Sequence, residues 1–243
     1  MLIPQRLKKG DVIGVVAPSN PIIDENIEEL ERARKIVEDA GFKVKYSKNL
    51  FSNTNGYSST AREKAEDINE MFRDKDVKMI WCAKGGENSN STFEYLDYDL
   101  IKNNPKIICG YSDITSLTNI ITAKTGLVTF SGTNFKTIAT DETNYSYNEV
   151  MKRFVDGSLE LGVEVEKYET LKEGVAEGKL IGGNLKLTRG LVSGKYSIDF
   201  TDKILFLEEL GIDTTPVIMS NFLYYMKQNG VFDKIKGLWI GNY

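Results

Sequence analysis

The segment KIICGYSDIT, residues 106–115, decides the fold of this chain because it predicts a buried strand, a tight turn and a helix in direct succession. The apolar run ends at Gly110, Ser112 lies in the turn, and Asp113 opens a helix expected to reach about Lys124. A strand that is apolar along its whole length is typical of a parallel sheet covered on both faces. The segment therefore predicts an α/β fold with Ser112 at the carboxyl end of a parallel sheet.

Strands and helices alternate through the first half of the chain. Thr60 and Glu63 have the spacing of a capping box, and Asp24 is placed to cap an earlier helix. The alternation predicts a mostly parallel sheet flanked by helices, similar in shape to the flavodoxin and Rossmann folds. We expect strands at 11–17, 42–46, 77–82, 106–109 and 127–131, and helices at 24–40, 60–73 and 113–124.

The pattern changes after about residue 133. We expect an N-terminal lobe over 1–133 that carries Ser112, a crossover over 134–165, and a smaller C-terminal α/β lobe over 166–243. In the second lobe, Gly182-Gly183-Asn184 is expected to open a helix that reaches about Val192. The remaining elements expected there are a short helix at 149–156, strands at 204–207 and 235–240, and a helix at 216–229.

Composition narrows the class of protein. The 243 residues are 41% hydrophobic and 27% charged, with a net charge of −4, which is typical of a globular protein and does not favour nucleic acid or an anionic membrane. The N-terminus has no secretory signal pattern, so we expect a cytoplasmic protein that does not enter a membrane. Cys82 and Cys109 end apolar runs and are expected to be buried and unbridged.

The chain contains no histidine, and this affects how Ser112 is interpreted. A serine hydroxyl is a weak nucleophile that needs a base, most often histidine. Ser112 is therefore either the N-cap of the next helix, or a nucleophile whose base is unusual or lies outside this chain. Lys84 is the first candidate for an unusual base, in a Ser–Lys pair.

Glycine turns supply candidate binding groups near the same sheet edge. Gly85 and Gly86 follow a strand and would expose backbone N–H groups to an oxyanion, although an ordinary strand exit has the same pattern. Gly183 and Asn184 would hold a carboxylate, or Asn184 is simply a helix cap. Glu208 ends a strand, where it would orient a base or lie in solvent. With no histidine, no acidic cluster and no dinucleotide fingerprint, we expect no metal and no cofactor.

Taken in order, these segments resemble the LD-carboxypeptidase family of serine peptidases, and within it the microcin C self-immunity peptidases. The resemblance covers essentially the whole chain, and the ending GVFD at 230–233 is closer to the self-immunity branch. The segments that carry it are 17–19, 84–86, 105–106, 110–113, 125–127, 180–185, 204–208 and 230–241.

The resemblance implies a role for each matching position. Ser112 corresponds to the nucleophile, Glu208 to the acid of a Ser–His–Glu triad, and the backbone N–H groups of Asp113 and the Gly85–Gly86 turn to the oxyanion hole. It implies two lobes with the active site between them, often a homodimer, and no metal. The substrates implied are L,D-peptides of murein, or the amide that joins a peptide to a nucleotide in microcin C-type antibiotics.

Relatives of this kind carry the triad histidine after the last strand predicted here. We therefore expect this chain to be C-terminally truncated and to be weak or inactive as a hydrolase. The alternative is a non-catalytic protein that binds peptide carboxylates on a peptidase scaffold.

Overall fold

A computed structural model describes residues 1–160, 169–211 and 215–241 of the chain. The described residues form two sheets whose neighbouring strands all pair in parallel, which confirms the predicted α/β class. The larger sheet has the strand order β2-β1-β3-β4-β5, and the smaller sheet has the order β6-β7-β8. The strands are β1 (Val12–Val16), β2 (Lys43–Tyr46), β3 (Val77–Cys82), β4 (Ile107–Gly110), β5 (Phe130–Ser131), β6 (Lys179–Asn184), β7 (Lys203–Glu208) and β8 (Gly237–Ile240).

Helices connect the strands and cover the sheets. They are α1 (Glu25–Asp39), α2 (Ala61–Arg73), α3 (Tyr98–Asn103), α4 (Ile114–Thr125), α5 (Tyr145–Phe154), α6 (Leu185–Arg189), α7 (Pro216–Gln228) and α8 (Val231–Lys234), with short 3-10 helices at Ser89–Thr92 and Phe135–Ala139. None of the helices within the described residues is long and apolar enough to cross a membrane.

Local capping signals explain two of the helix starts. The Thr60 hydroxyl accepts from the Glu63 N–H at 3.3 Å, and the Glu63 carboxylate accepts from the Thr60 N–H at 3.0 Å, so the predicted capping box is confirmed. Asp24 lies at the N-cap position of α1 as predicted, but its side chain makes no capping hydrogen bond and its φ is +44°. Pro216 begins α7 as expected, where its missing N–H costs nothing.

The second lobe differs from the predicted pattern in two places. Gly182 and Gly183 belong to strand β6, which ends at Asn184. Asn184 is the N-cap of α6, as expected, but that helix ends at Arg189 and does not reach Val192. Paired glycines have no side chains to show a strand period, which is why this strand was missed. The crossover also has more helix than expected, since α5 begins at Tyr145. Residues 161–168, at the junction of the predicted crossover and C-terminal lobe, lie outside the described residues.

The strand order of the large sheet creates a crevice at its carboxyl edge. In an open sheet of order 2-1-3-4-5, ligands bind outside the strand ends beside the point where the order reverses, which is between β1 and β3. The turns that follow β1, β3 and β4 all leave the sheet at this edge. The topology thus brings Ser19, Gly85 and Ser112 to one place.

Helix α4 joins the two sheets. Asn119 Nδ2 donates to the Gly182 carbonyl at 2.8 Å, and its Oδ1 accepts from the Gly182 N–H at 3.2 Å. Buried Leu117 of α4 belongs to the same apolar core as Leu205 and Leu207 of β7. The start of α4, where Ser112 and Asp113 lie, is therefore held in a fixed position relative to the smaller sheet.

Candidate active site

Ser112 occupies a strained turn between β4 and α4. Its φ is +62°, a left-handed conformation that is uncommon for residues other than glycine. The N-cap of α4 is Asp113, so the interpretation of Ser112 as the helix cap is wrong. Strain of this kind persists where the surrounding structure fixes it, and it is concentrated at functional sites.

The Gly85–Gly86 turn is packed tightly against this serine and against the β1 turn. A Cβ atom on Gly85 would lie 3.2 Å from Ser112 Oγ, and one on Gly86 would overlap Asn20 Oδ1 and lie 2.5 Å from Ser19 Oγ. Gly86 also has a φ of +152°. Glycine is thus required at Gly86 on both steric and backbone grounds.

A buried carboxylate joins the three turns. Asp113 is 0% exposed, and its Oδ2 accepts from Ser19 Oγ at 2.5 Å and from the Ser89 N–H at 2.7 Å. The Ser89 hydroxyl donates in turn to the Asp113 carbonyl at 2.7 Å. Because these bonds link the exits of β1, β3 and β4, they fix the turn that presents Ser112.

Lys64 of α2 is buried beside this carboxylate. Its Nζ donates to the carbonyl of Asn88 at 3.1 Å and to Asn88 Oδ1 at 2.8 Å. Burial lowers the pKa of Lys64 to about 8, and the nearby Asp113 carboxylate opposes that shift. Lys64 therefore supports the segment that carries Ser89, and the sequence showed only a helical position on α2.

The smaller sheet supplies the opposite wall. The Asn184 N–H donates to Thr115 Oγ1 at 3.1 Å, and a Cβ on Gly183 would lie 2.7 Å from that same oxygen. Asn184 Oδ1 accepts from the Leu187 N–H at 3.3 Å, so Asn184 caps α6. This was one of the two interpretations that the sequence left open for Asn184. Gly183 and Asn184 thus pack directly on α4, one turn away from Ser112.

Glu209 is a site residue that the sequence interpretation passed over in favour of Glu208. It is 5% exposed, and its carboxylate accepts from Asn184 Nδ2 at 2.7 Å, from the Leu210 N–H at 3.1 Å and from the Lys186 N–H at 3.3 Å. Successive side chains along a strand point to opposite faces, so only one of Glu208 and Glu209 can face the site. The sequence pattern does not indicate which one.

A cavity of about 170 Å³ opens beside Ser112. Glu208 is not among the residues that line it. Glu208 ends β7 opposite Asn184 in the sheet register, and burial together with the neighbouring Glu209 raises the pKa of its carboxyl. The lining residues are Gly86, Glu87, Ser112, Asn184, Lys186, Leu187 and Glu209.

Lys84, Cys82 and Cys109 do not line this cavity. Lys84 Nζ donates to Asn26 Oδ1 at 2.6 Å, and burial lowers the pKa of Lys84, but its hydrogen bond ties it to α1. Cys82 and Cys109 are 0% exposed, as expected, and burial raises the pKa of the Cys109 thiol to about 12. Neither thiol is therefore suited to act as a nucleophile.

The arrangement is suited to attack on a carbonyl. Ser112 Oγ lies at a cavity, the backbone N–H of Asp113 follows it, and the Gly85–Gly86 turn lies beside it. Backbone N–H groups at such positions stabilise the oxyanion of a tetrahedral intermediate. Among the described residues, no group of three or more cysteine, aspartate or glutamate side chains is arranged to hold a metal ion.

Comparison with known families agrees with this geometry. Residues 13–132 match the LD-carboxypeptidase N-terminal domain, and residues 177–243 match the LD-carboxypeptidase C-terminal domain. The chain belongs to the LD-carboxypeptidase family. The resemblance inferred from the sequence is thereby confirmed.

Relatives of this chain include a probable murein peptide carboxypeptidase and MccF-like proteins. A probable murein peptide carboxypeptidase of Bacillus subtilis (strain 168) is 36% identical over 98% of this chain and 73% of its own length. The solved structure of an MccF-like protein from Bacillus anthracis str. Ames is 34% identical, with a TM-score of 0.88 over 99% of this chain and 80% of that one. MccF in complex with glutamyl sulfamoyl guanosine is 27% identical, with a TM-score of 0.86 over the same shares.

Proposed function

We propose that this LD-carboxypeptidase homologue is a serine hydrolase that cleaves an amide bond in an L,D-peptide or a peptidyl-nucleotide. The observation that carries the proposal is Ser112, held at φ +62° beside a cavity and against Gly85. A left-handed serine between a parallel strand and a helix exposes its hydroxyl at the edge where such sheets place ligands.

In the proposed reaction, Ser112 Oγ attacks the carbonyl carbon and gives its proton to a base. The carbonyl oxygen becomes an oxyanion that receives hydrogen bonds from the Asp113 N–H and from the Gly85–Gly86 turn. The C–N bond then breaks, the leaving amine takes the proton, and an ester to Ser112 remains. Water hydrolyses this ester, so that the acid is released and the Ser112 hydroxyl is restored.

The group that accepts the Ser112 proton is not assigned to a residue of this chain. The 243 residues contain no histidine, and Lys84 is bonded to Asn26. We propose that Glu208 orients an imidazole base when one is supplied. A serine site without its base keeps only about 10³–10⁴-fold acceleration over water, so these 243 residues alone are expected to turn over slowly.

Two substrate classes fit the family, and each has a direct test. The first is a murein tetrapeptide, and the second is an aminoacyl nucleotide such as glutamyl sulfamoyl guanosine, the ligand held by MccF. Calorimetric titration of the Ser112→Ala chain with both compounds would rank them, and release of the terminal amino acid by the unsubstituted chain would measure turnover. If neither compound binds and neither is cleaved, the proposed function is wrong.

The absence of histidine also supports a second candidate, a protein that binds peptide carboxylates without cleaving them. Both candidates predict binding at the cavity, but only a hydrolase predicts an acyl-enzyme on Ser112. Mass spectrometry of the chain after incubation with an activated ester of the peptide separates them, because the hydrolase gains the acyl mass on the fragment that contains Ser112.

Two further expectations accompany the proposal. We expect a cytoplasmic enzyme, which cell fractionation would test, and a homodimer, which sedimentation velocity would test. No metal or organic cofactor takes part in the proposed steps.

A further inference from the structure

Lys186 and Glu87 form an ion pair at the mouth of the cavity. Lys186 lies in the first turn of α6 and Glu87 follows the Gly85–Gly86 turn, with Nζ and Oε2 separated by 2.8 Å. Their side chains are 45% and 66% exposed. An exposed pair contributes little net stability because water screens it, so either partner is readily exchanged for a ligand group.

Within the described residues that line the cavity, Lys186 carries the positive charge and Glu87 and Glu209 carry the negative charges. The Glu209 carboxylate is buried and already accepts from Asn184 Nδ2, the Lys186 N–H and the Leu210 N–H. Glu87 is instead held by an ammonium group that faces solvent. Glu87 therefore occupies the position that a ligand carboxylate would take.

The other polar groups of this wall are committed to the fold. Asn184 donates its backbone N–H to Thr115, donates Nδ2 to Glu209, and accepts at Oδ1 from Leu187. These bonds occupy its backbone N–H, its Oδ1 and one of the two hydrogens on Nδ2. The ammonium group of Lys186 is a rotatable donor on a flexible stem, which suits binding of an anion.

We propose that Lys186 Nζ binds the free carboxylate that lies next to the scissile bond, and that Glu87 holds this carboxylate subsite until substrate displaces it. This proposal rests on the proposed function. It assigns the free carboxylate of the substrate to Lys186 instead of to Gly183 and Asn184. Glu87 then selects against anionic ligands too weak to displace it.

The test measures binding, so that it does not depend on turnover. In the Ser112→Ala chain, a murein tetrapeptide with a free terminal carboxylate is compared by calorimetry with the same peptide ending in a carboxamide. Lys186→Met is expected to weaken the carboxylate peptide roughly tenfold and to change the carboxamide peptide by less than about twofold. Glu87→Gln is expected to tighten the carboxylate peptide, since the competing carboxylate is gone.

Lys195→Met is the matched control. Lys195 forms an equally close ion pair with Glu94, at 2.9 Å, but neither residue lines the cavity. This variant should leave both peptides unchanged. Equal weakening of the two peptides by Lys186→Met, or weaker binding of the carboxylate peptide in Glu87→Gln, overturns the inference alone. Failure of both peptides to bind any of the chains overturns the proposed function and the inference with it.

Discussion

Gly85 lies directly against Ser112, such that a Cβ atom on Gly85 would approach Ser112 Cβ to 3.1 Å and Oγ to 3.2 Å. These distances are shorter than ordinary van der Waals contact, so a methyl group there must displace the serine side chain. Gly85 thus limits where the Ser112 hydroxyl can point.

The first prediction concerns this contact. Gly85→Ala should weaken ligand binding at the cavity and lower any turnover by roughly tenfold or more, because small displacements of reacting groups are costly. Thermal stability should change little, since Gly85 does not have a positive φ. Gly237→Ala is the control, because its new methyl group would meet its nearest atom at 3.5 Å, and its binding should match that of the unsubstituted chain. Normal binding by Gly85→Ala would contradict the prediction.

The second prediction concerns the buried carboxylate of Asp113. Ser19→Ala removes one donor from this group, and a charged group that loses a buried hydrogen bond costs about 1–3 kcal/mol. Urea denaturation should therefore show a clear loss in the free energy of unfolding. Ser193→Ala removes an exposed hydroxyl that contacts Tyr225 and should cost less than about 0.5 kcal/mol. A similar loss in the free energy of unfolding for the two variants would show that the hydrogen bonds to Asp113 do not stabilise the fold.

The third prediction concerns Lys64, whose pKa burial lowers from 10.5 to about 8. A lowered lysine pKa means that the unfolded chain binds more protons between these values, so the Lys64 contribution to the free energy of unfolding rises with pH across this interval. Below about pH 8 the penalty for the buried charge is fully present. Lys64→Met should remove this rise, which is at most about 1.4 kcal/mol per pH unit.

Urea denaturation of the Lys64→Met and unsubstituted chains at about pH 7.5 and about pH 9.5 measures how much the free energy of unfolding of each chain rises with pH. Lys48→Met, at an exposed lysine, serves as the control and should leave the pH dependence as it is. A Lys64→Met chain with the same pH dependence as the unsubstituted one would contradict the assignment.

The fourth prediction concerns Glu208, whose carboxyl pKa is raised by burial and by the Glu209 charge. A raised carboxyl pKa favours the folded state below the ordinary value of 4.5, and this advantage is lost as pH rises through the folded value. Glu208→Gln should therefore stabilise the fold at neutral pH, and the gain should vanish in acid. Glu70→Gln, at an exposed glutamate, should show no such change, and a loss of stability in Glu208→Gln at neutral pH would refute the prediction.

The sequence predicted most of what depends on local pattern. The apolar run before Gly110 predicted β4, and the Thr60–Glu63 pair predicted the start of α2. Both features depend on residues that are close together in the sequence. It also placed Ser112 and the Gly85–Gly86 turn at one sheet edge, since the carboxyl ends of parallel strands meet there.

The remaining features depend on contacts between distant segments. The bond from Ser19 to Asp113 spans 94 positions and the ion pair of Glu87 with Lys186 spans 99, so neither has a local signature. Strand β6 was missed because Gly182 and Gly183 hide its period, and Glu209 was missed because the side chains of adjacent glutamates are indistinguishable until the sheet is built.

The central claim is that Ser112 is a nucleophile whose scaffold is complete except for an imidazole base. Because the cavity beside Ser112 has a volume of about 170 Å³, imidazole added to the solution has room to act as that base. The decisive measurement is the release of the terminal amino acid from a murein tetrapeptide by the 243-residue chain, followed against imidazole concentration beside the Ser112→Ala variant. The account predicts a rate that rises with imidazole in the unsubstituted chain and stays at the solution background in Ser112→Ala. Equal rates for the two chains at every imidazole concentration would contradict it.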